Sequence, residues 1–193
     1  MSTADQLKRG LIALGLTLDR DTQQRLLDYI ALIEKWNRVY NLTAIREPEK
    51  MVSHHLLDSL AVAPHLHAKR LLDVGSGAGL PGIPLALAYP GTHVTLLDSN
   101  HKKAAFLKQA VMELKLKNAE VCSERVESWQ AQSKFDVIIS AAGGVDLREA
   151  RSAIFNGANI VVVNIVKPGD VWNGISSDQP VGQIAQQFLT TIE

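Results

Sequence analysis

The segment LLDVGSGAGLPGIPLAL (71–87) contains three glycines with a spacing suited to ligand binding: Gly75, Gly77 and Gly79. An apolar run precedes them and a helical pattern follows. Glycine permits a sharp turn and a close approach of the backbone to a ligand, and amides at a helix N-terminus favour a negatively charged group. A tight strand-to-helix connection without a ligand can use the same residues.

The residue after Gly79 separates two classes of cofactor. The dinucleotide fingerprint G-x-G-x-x-G needs glycine at its sixth position, and that position is Leu80 here. The form G-x-G-x-G is associated with S-adenosylmethionine enzymes, so this cofactor is predicted. Asp98 ends the next strand about 20 residues later, where its carboxylate can accept hydrogen bonds from both ribose hydroxyls. Alternatively, Asp98 caps the helix that follows.

Two further groups of residues are expected beside this cofactor. Asp73 can face the cofactor's amino group, directly or through water, or can only order the glycine loop. Residues 125–127 follow the third strand, where they would border an adenine. The predicted cofactor-binding residues are Asp73, Gly75, Gly77, Gly79, Leu80, Asp98, Ser99, Arg125, Val126 and Glu127.

Alternating strands and helices must position this turn. Apolar runs typical of buried parallel strands occur at 70–74, 93–98, 119–123, 135–140 and 158–165. Helices are predicted at 81–89, 101–117, about 125–132, about 147–156 and near 178–192. The pattern predicts an α/β, Rossmann-like domain over 67–193 with a five-stranded parallel sheet in the order 3-2-1-4-5.

Residues 1–66 have helical rather than strand periodicity and are predicted to form an N-terminal helical extension. A leucine stripe predicts the first helix. The second is predicted from Asp21 to about Tyr40, with Asp21 or Thr22 as its N-cap. The third is predicted from Pro48 to His65.

Composition limits the partners and the compartment. The formal net charge is zero, so any RNA-binding face must be a local cluster of basic residues. The single cysteine, Cys122, excludes an internal disulfide and fits a reducing compartment. We find neither a membrane-length apolar stretch nor a signal-peptide core, so we expect a cytoplasmic protein without a membrane partner. The histidines form no metal-binding motif, so no metal is expected, and we expect a monomer.

Six segments together resemble the bacterial small-subunit rRNA guanine-N7 methyltransferases, the RsmG or glucose-inhibited division protein B family. The resemblance extends over about residues 5–140. The first two segments separate this family from generic Rossmann-like methyltransferases. The segments are KWNRVYNLTAIRE (35–47), HHLLDSLAVAP (54–64), LLDVGSGAGLPGIPLAL (71–87), LLDSNHKKAAFL (96–107), ERVES (124–128) and FDVIIS (135–140).

The resemblance implies methyl transfer from S-adenosylmethionine to N7 of a guanine in the 16S rRNA of the small ribosomal subunit. N7 has a lone pair and no proton, so no general base is obligatory, and rate enhancement would come from positioning and electrostatics. By resemblance the catalytic residues are Asn41, His55 and Arg125, and Lys102 with Lys103 would contact RNA phosphate.

Each of these roles has a structural alternative. Asn41 can cap a helix or turn, and His55 can be a satisfied buried histidine. Lys102 and Lys103 can form a solvated helix face. Trp36 has helical spacing and is expected in the core rather than as a base-stacking platform.

Beyond Ser140 the resemblance is expected to end, because Ala141 stands where the family has an arginine. The tail, AAGGVDLREARSAIFNGANIVVVNIVKPGD, resembles instead the last two βα units of a TIM barrel of the hexulose-6-phosphate synthase and orotidine-phosphate decarboxylase type. We therefore expect a chimera joined near FDVIIS, without the family's terminal hairpin; natural divergence of the tail is the alternative. The tail's phosphate-binding residues would be Gly143, Gly144, Asn164 and Ile165.

Three functions remain open. The first is an S-adenosylmethionine-dependent rRNA (guanine-N7) methyltransferase, with activity reduced because Ala141 offers no charge to phosphate or base. The second is an engineered chimeric scaffold that binds S-adenosylmethionine, or nothing, without catalysis. The third is a phosphate-binding module in the tail, which is the weakest because two βα units cannot close a barrel.

Overall fold

The computed structural model describes residues 2–131, 133–139, 159–160, 171–172 and 175–176. These ranges include the helical extension, the glycine loop and the ends of the first four strands. Several predictions about the tail lie outside them: the helices at about 147–156 and near 178–192, the role of Ala141, and the phosphate-binding residues Gly143, Gly144, Asn164 and Ile165.

Two regular helices begin the extension. Helix α1 spans Thr3–Ala13 and helix α2 spans Arg20–Tyr40. The carboxylate of Asp19 accepts a hydrogen bond from the backbone N–H of Thr22 at 2.7 Å, which makes Asp19 the N-cap of α2. The predicted cap at Asp21 or Thr22 is therefore wrong, because both residues already lie in the first turn.

The third predicted helix is irregular. It consists of α3 (Pro48–Met51), a π-helical segment (Val52–Leu57), α4 (Asp58–Ala61) and a 3-10 turn (Ala63–His65). Such π-helical turns occur frequently at functional sites. The apolar side chains of Leu56, Leu60 and Val62 are buried.

Over residues 67–131 and 133–139, the structure describes four parallel strands with two intervening helices. Their order in the sheet is β3-β2-β1-β4, so the predicted α/β, Rossmann-like arrangement with a parallel sheet is confirmed. The elements are β1 (Arg70–Val74), α5 (Gly82–Ala88), β2 (His93–Leu97), α6 (His101–Glu113), β3 (Ala119–Cys122) and β4 (Val137–Ile139).

Other elements differ from the prediction. The fifth strand predicted at 158–165 is described only at β5 (Asn159–Ile160), which pairs in parallel with β4; five full strands are therefore not confirmed. A two-residue antiparallel pair, β6 (Val171–Trp172) with β7 (Ile175–Ser176), is present although no hairpin was expected in the tail. The helix predicted at about 125–132 is wrong: residues 126–128 form a turn.

The two faces of the sheet belong to different hydrophobic clusters. The larger cluster contains Leu71 and Leu96 from the sheet, Tyr29 from α2 and Phe106 from α6. The helical extension and the sheet therefore share one core, and α2 is held against the domain that contains the glycine loop. The smaller cluster covers the opposite face and includes Leu72. In the described part of the chain, no helix is long and apolar enough to span a membrane.

Candidate active site

The glycine loop leaves the carboxyl end of β1 and is bound to the end of β2. Gly75, Gly77 and Gly79 have φ angles of 70°, 60° and 86°, in the left-handed region that favours glycine. The amides of Gly75 and Ser76 donate to the Leu97 carbonyl at 2.8 and 3.1 Å. These bonds fix the beginning of the loop beside the position of Asp98.

The space around the loop differs between two of its glycines. A Cβ atom on Gly79 would lie 2.5 Å from Cδ1 of Ile83, so the chain packs closely there. A Cβ atom on Gly77 would meet nothing nearer than the Gly75 carbonyl oxygen at 3.7 Å. Among the described residues, the Gly77 side of the loop therefore has room for a ligand.

Asp98 connects the glycine loop to the helix that follows β2. Its side chain is buried, Oδ2 accepts from the Gly77 amide at 2.8 Å, and Oδ1 accepts from the Asn100 amide at 2.8 Å. Asn100 is the N-cap of α6, with its side chain accepting from the amides of Lys102 and Lys103. The alternative interpretation of Asp98 as the helix cap is therefore wrong. Each carboxylate oxygen keeps lone-pair capacity for another donor, such as a ribose hydroxyl.

Asp73 lies fully buried in β1 beneath the loop. Its Oδ2 accepts from the Gly82 amide at 3.0 Å, and its Oδ1 has no hydrogen-bond partner among the described residues. Burial raises the pKa of Asp73 to about 8, although the hydrogen bond from the Gly82 amide acts in the opposite direction. The carboxyl group is therefore largely protonated near neutral pH. The hydrogen bond from the Gly82 amide supports the interpretation that Asp73 orders the loop. Contact between Asp73 and the cofactor stays a prediction.

The other predicted binding residues lie near the carboxyl ends of the strands and in the first turn of α6. Leu80 and Lys103 are half-buried, and Val126 is nearly buried in the smaller cluster. Their roles toward the cofactor or RNA stay predictions. The exposed members of the set are Ser99, Lys102, Arg125 and Glu127.

The two N-terminal motifs meet in a polar network. Asn37 of α2 is buried; its Oδ1 accepts from the Thr43 amide at 3.0 Å and its Nδ2 donates to the Ile45 carbonyl at 3.3 Å. The Thr43 hydroxyl accepts from the Ile45 amide at 3.2 Å and lies 3.0 Å from Nε2 of His55. The segment after α2 is thus tied to the π-helical segment.

His55 is buried and its two ring nitrogens both have partners. Nδ1 lies 3.1 Å from the His54 carbonyl oxygen, which can only accept, so Nδ1 must carry the proton and Nε2 accepts from the Thr43 hydroxyl. Burial lowers the pKa of His55, and the neighbouring His54 contributes smaller effects of both signs. A neutral, satisfied histidine agrees with the structural alternative, and its catalytic role stays a prediction.

Asn41 ends helix α2. It adopts the left-handed conformation, with φ 47° and ψ 54°, which asparagine tolerates better than most residues. Its exposed side chain accepts a hydrogen bond from the Arg46 guanidinium at 3.1 Å. The capping alternative therefore describes its backbone, and its side chain remains accessible for the predicted role at the substrate.

Sequence reasoning missed three residues that support the site: Tyr29, Asn37 and Thr43. Tyr29 is fully buried and donates its hydroxyl hydrogen bond to the Ala78 carbonyl within the glycine loop. The sequence analysis assigned no role to Tyr29. Asn37 and Thr43 belong to the motif W-N-x-x-Y-N-L-T, so that motif was the available signal. Trp36 packs against the main core, as predicted.

The fold and the loop together define a class of protein. The O-methyltransferase from Bacillus cereus, in complex with SAH, matches 86% of this chain and 78% of its own chain, with a TM-score of 0.54 and 22% identity. Identity at this level supports the fold alone. The fold is that of the S-adenosylmethionine-dependent methyltransferases.

Sequence comparison assigns the family within this class. The family model of GidB, rRNA small subunit methyltransferase G, matches residues 22–148. Ribosomal RNA small subunit methyltransferase G from Nitrosospira multiformis is 58% identical over 142 residues, 74% of this chain and 66% of that protein. The protein of the same name from Laribacter hongkongensis is 47% identical over 186 residues, 96% of this chain and 86% of that protein. The chain belongs to this family.

These matches confirm part of the sequence prediction and correct another part. The predicted family, the methyltransferase class and its cofactor, S-adenosylmethionine, are confirmed. The expectation that the resemblance ends at Ser140 is wrong, because the family match continues to residue 148 and the Laribacter protein matches 96% of the chain. None of these matches supports a TIM-barrel origin of the tail. The chain spans about two thirds of the length of the Nitrosospira protein.

Proposed function

We propose that this protein transfers the methyl group of S-adenosylmethionine to N7 of a guanine in the 16S rRNA of the small ribosomal subunit. The main support is the buried Asp98 carboxylate, tied at 2.8 Å to the Gly77 amide of the glycine loop, in a chain that belongs to the rRNA small subunit methyltransferase G family. The Nitrosospira and Laribacter proteins are both named ribosomal RNA small subunit methyltransferase G.

The cofactor fits the residues that surround the loop. Asp98 can accept hydrogen bonds from the ribose hydroxyls, because its present bonds to two amides leave lone pairs free. The open space at Gly77 permits close approach to the backbone. The Oδ1 atom of Asp73, which lacks a partner among the described residues, offers a further polar contact. Residues 125–127 would border the adenine.

Methyl transfer to N7 makes limited chemical demands on the chain. The guanine N7 lone pair attacks the sulfonium methyl carbon, the carbon–sulfur bond breaks with its electron pair left on sulfur, and the base takes up the positive charge. No proton is removed, so a general base is not required. The neutral His55, with both ring nitrogens occupied, agrees with a positioning role rather than a role in proton transfer.

The RNA face must be local because the chain has no net charge. Lys102 is exposed in the first turn of α6, two residues after the Asn100 cap that contacts Asp98. A phosphate bound there would lie near the cofactor and would be attracted by the ammonium group. Asn41 and Arg125 are exposed candidates for contact with the base or the cofactor.

Two finer predictions about the tail accompany this proposal. The parallel pairing of Asn159–Ile160 with β4 supports a fifth strand over 158–165 and the order 3-2-1-4-5. Reduced activity caused by Ala141 stays a prediction, as does cytoplasmic localisation. The variant Ala141→Arg tests the predicted effect of Ala141 directly, since higher methylation than the parent protein would show that the missing charge limits activity.

The test of the proposed function is incorporation of labelled methyl groups into small subunits that lack the N7 modification. Wild-type protein is expected to label 16S rRNA at guanine N7. The variant Asp98→Asn should weaken cofactor binding about 10- to 100-fold, because the hydrogen bond from each of the two ribose hydroxyls loses about 1 kcal/mol when the charged acceptor becomes neutral.

The matched control is Asp136→Asn. Asp136 also accepts from two backbone amides, those of Lys69 and Arg70 at 2.8 and 2.9 Å. These residues lie at the amino ends of β1 and β4, the end of the sheet opposite the glycine loop. It should keep the cofactor affinity of the wild type. Absence of label in 16S rRNA at saturating cofactor, with calorimetry showing no binding, would refute the proposed function.

A further inference from the structure

A tyrosine from the helical extension contacts the centre of the glycine loop. Tyr29 lies in α2, 49 residues before Ala78, with no exposed surface, and its hydroxyl donates to the Ala78 backbone carbonyl. Ala78 stands between Gly77 and Gly79. A residue of the extension thus supports the loop from the side of the main hydrophobic core.

The direction of this hydrogen bond is unambiguous. A backbone carbonyl can only accept, so the tyrosine hydroxyl must donate. Burial raises the pKa of Tyr29 well above its ordinary value, and the nearby Asp73 raises it further. The hydroxyl therefore stays protonated, and able to donate, around neutral pH.

The Ala78 carbonyl belongs to the peptide group that joins Ala78 to Gly79, whose φ is 86°. Rotation of the peptide plane between Ala78 and Gly79 changes ψ of the first residue and φ of the second. Glycine permits φ angles of either sign, so the φ torsion of Gly79 opposes this rotation only weakly, although the Gly79 amide bond to the Ser76 carbonyl at 2.7 Å also resists it. A bound carbonyl oxygen opposes it directly, because rotation would leave a buried acceptor without a donor.

The loop therefore has an anchor on each side. The Asp98 carboxylate holds the Gly77 amide at 2.8 Å, and the Tyr29 hydroxyl holds the carbonyl of the following residue, Ala78. The amides of Gly79 and Leu80 both donate to the Ser76 carbonyl, at 2.7 and 3.1 Å. Those bonds close the turn internally, whereas Tyr29 and Asp98 attach it to the rest of the protein.

We propose that Tyr29 is a positioning residue for the cofactor: by holding the Ala78 carbonyl it keeps the glycine loop in the conformation that binds S-adenosylmethionine. The helical extension is then part of the cofactor site and not only of the substrate side. Helix α2 also contains Asn37, which accepts a hydrogen bond from the Thr43 amide. The same helix therefore contacts both the glycine loop and the segment that follows α2. This inference rests on the proposed function.

The experiment compares the variants Tyr29→Phe and Tyr89→Phe by calorimetric titration with S-adenosylhomocysteine. Phenylalanine keeps the ring and its packing and removes only the hydroxyl. Tyr89 is the matched control, because it follows α5 and its hydroxyl makes no hydrogen bond among the described residues. We expect the Kd of Tyr29→Phe to rise about tenfold, which corresponds to one hydrogen bond, and that of Tyr89→Phe to equal the wild-type value.

Steady-state kinetics separates positioning from general destabilisation. Tyr29→Phe should raise KM for S-adenosylmethionine about tenfold and leave kcat at saturating cofactor, and KM for the small subunit, unchanged. A lower Tm with an unchanged Kd would overturn the inference, because Tyr29 would then be structural only. If Tyr29→Phe is unfolded in ordinary buffer, all titrations are repeated in sucrose, which favours the native state. Wild-type protein that binds no ligand would overturn the proposed function itself, whereas wild-type binding with an unaffected Tyr29→Phe variant overturns only this inference.

Discussion

Replacing Asp73 with asparagine removes a titrating group from beneath the glycine loop and should change how stability depends on pH. The pKa of Asp73 is raised to about 8 in the folded protein, from an ordinary value of 3.8, mainly because the group is buried. Between these two values the folded state binds one proton more than the unfolded state, so stability falls as pH rises. The favourable contribution of Asp73 to the free energy of unfolding is complete below its ordinary pKa of 3.8. It is lost progressively as the pH rises to the folded-state pKa of about 8.

The magnitude follows from the linkage relation. One proton of difference corresponds to about 1.4 kcal/mol per pH unit. Between about pH 6 and about pH 7.5, Asp73 should therefore reduce the free energy of unfolding by about 2 kcal/mol. Asp73→Asn lacks this loss and keeps an oxygen that can accept from the Gly82 amide, so its stability relative to the wild type should increase with pH.

Urea unfolding of the ligand-free proteins at these two pH values measures the effect. Other titrating groups are common to all variants, so their contributions cancel in the difference. The control is Asp136→Asn, because hydrogen bonds from the Arg70 and Lys69 amides lower the pKa of Asp136 and it stays ionised throughout. Equal pH dependence of wild type and Asp73→Asn would refute the reasoning.

Two further predictions concern the loop and the N-terminal network. Gly79→Ala should lower the free energy of unfolding by about 3 kcal/mol or more, because its Cβ would lie 2.5 Å from Ile83 and its φ is 86°. Gly77→Ala should lower it by only about 1–2 kcal/mol, because the nearest atom to its Cβ would be 3.7 Å away. Equal losses of stability in urea unfolding would contradict this packing. Thr43→Val should cost about 1–3 kcal/mol because it removes the donor to the buried His55. Nitrogen NMR of the wild type should show the neutral Nδ1–H tautomer of His55, and an Nε2–H signal would argue against the assigned network.

Local features of the sequence were sufficient to predict the parallel sheet and the position of its cofactor loop. The apolar runs that became β1 to β4 and the glycines at 75, 77 and 79 express requirements that each segment has by itself: burial on both faces for the strands, and positive φ for the turn. The boundaries were less certain where short segments depend on their neighbours. The turn at 126–128 replaced a predicted helix for this reason.

The chemical state of the site was decided only by tertiary structure, because it depends on atoms that are distant in sequence. The sequence placed Asp98 after a strand, but the bond from the Gly77 amide, 21 residues away, distinguished a loop anchor from a helix cap. Burial against the core made Asp73 largely protonated and His55 neutral, which no spacing rule can indicate. The contact of Tyr29 with Ala78 exists only because α2 packs against the sheet, and this packing joins the extension to the cofactor loop.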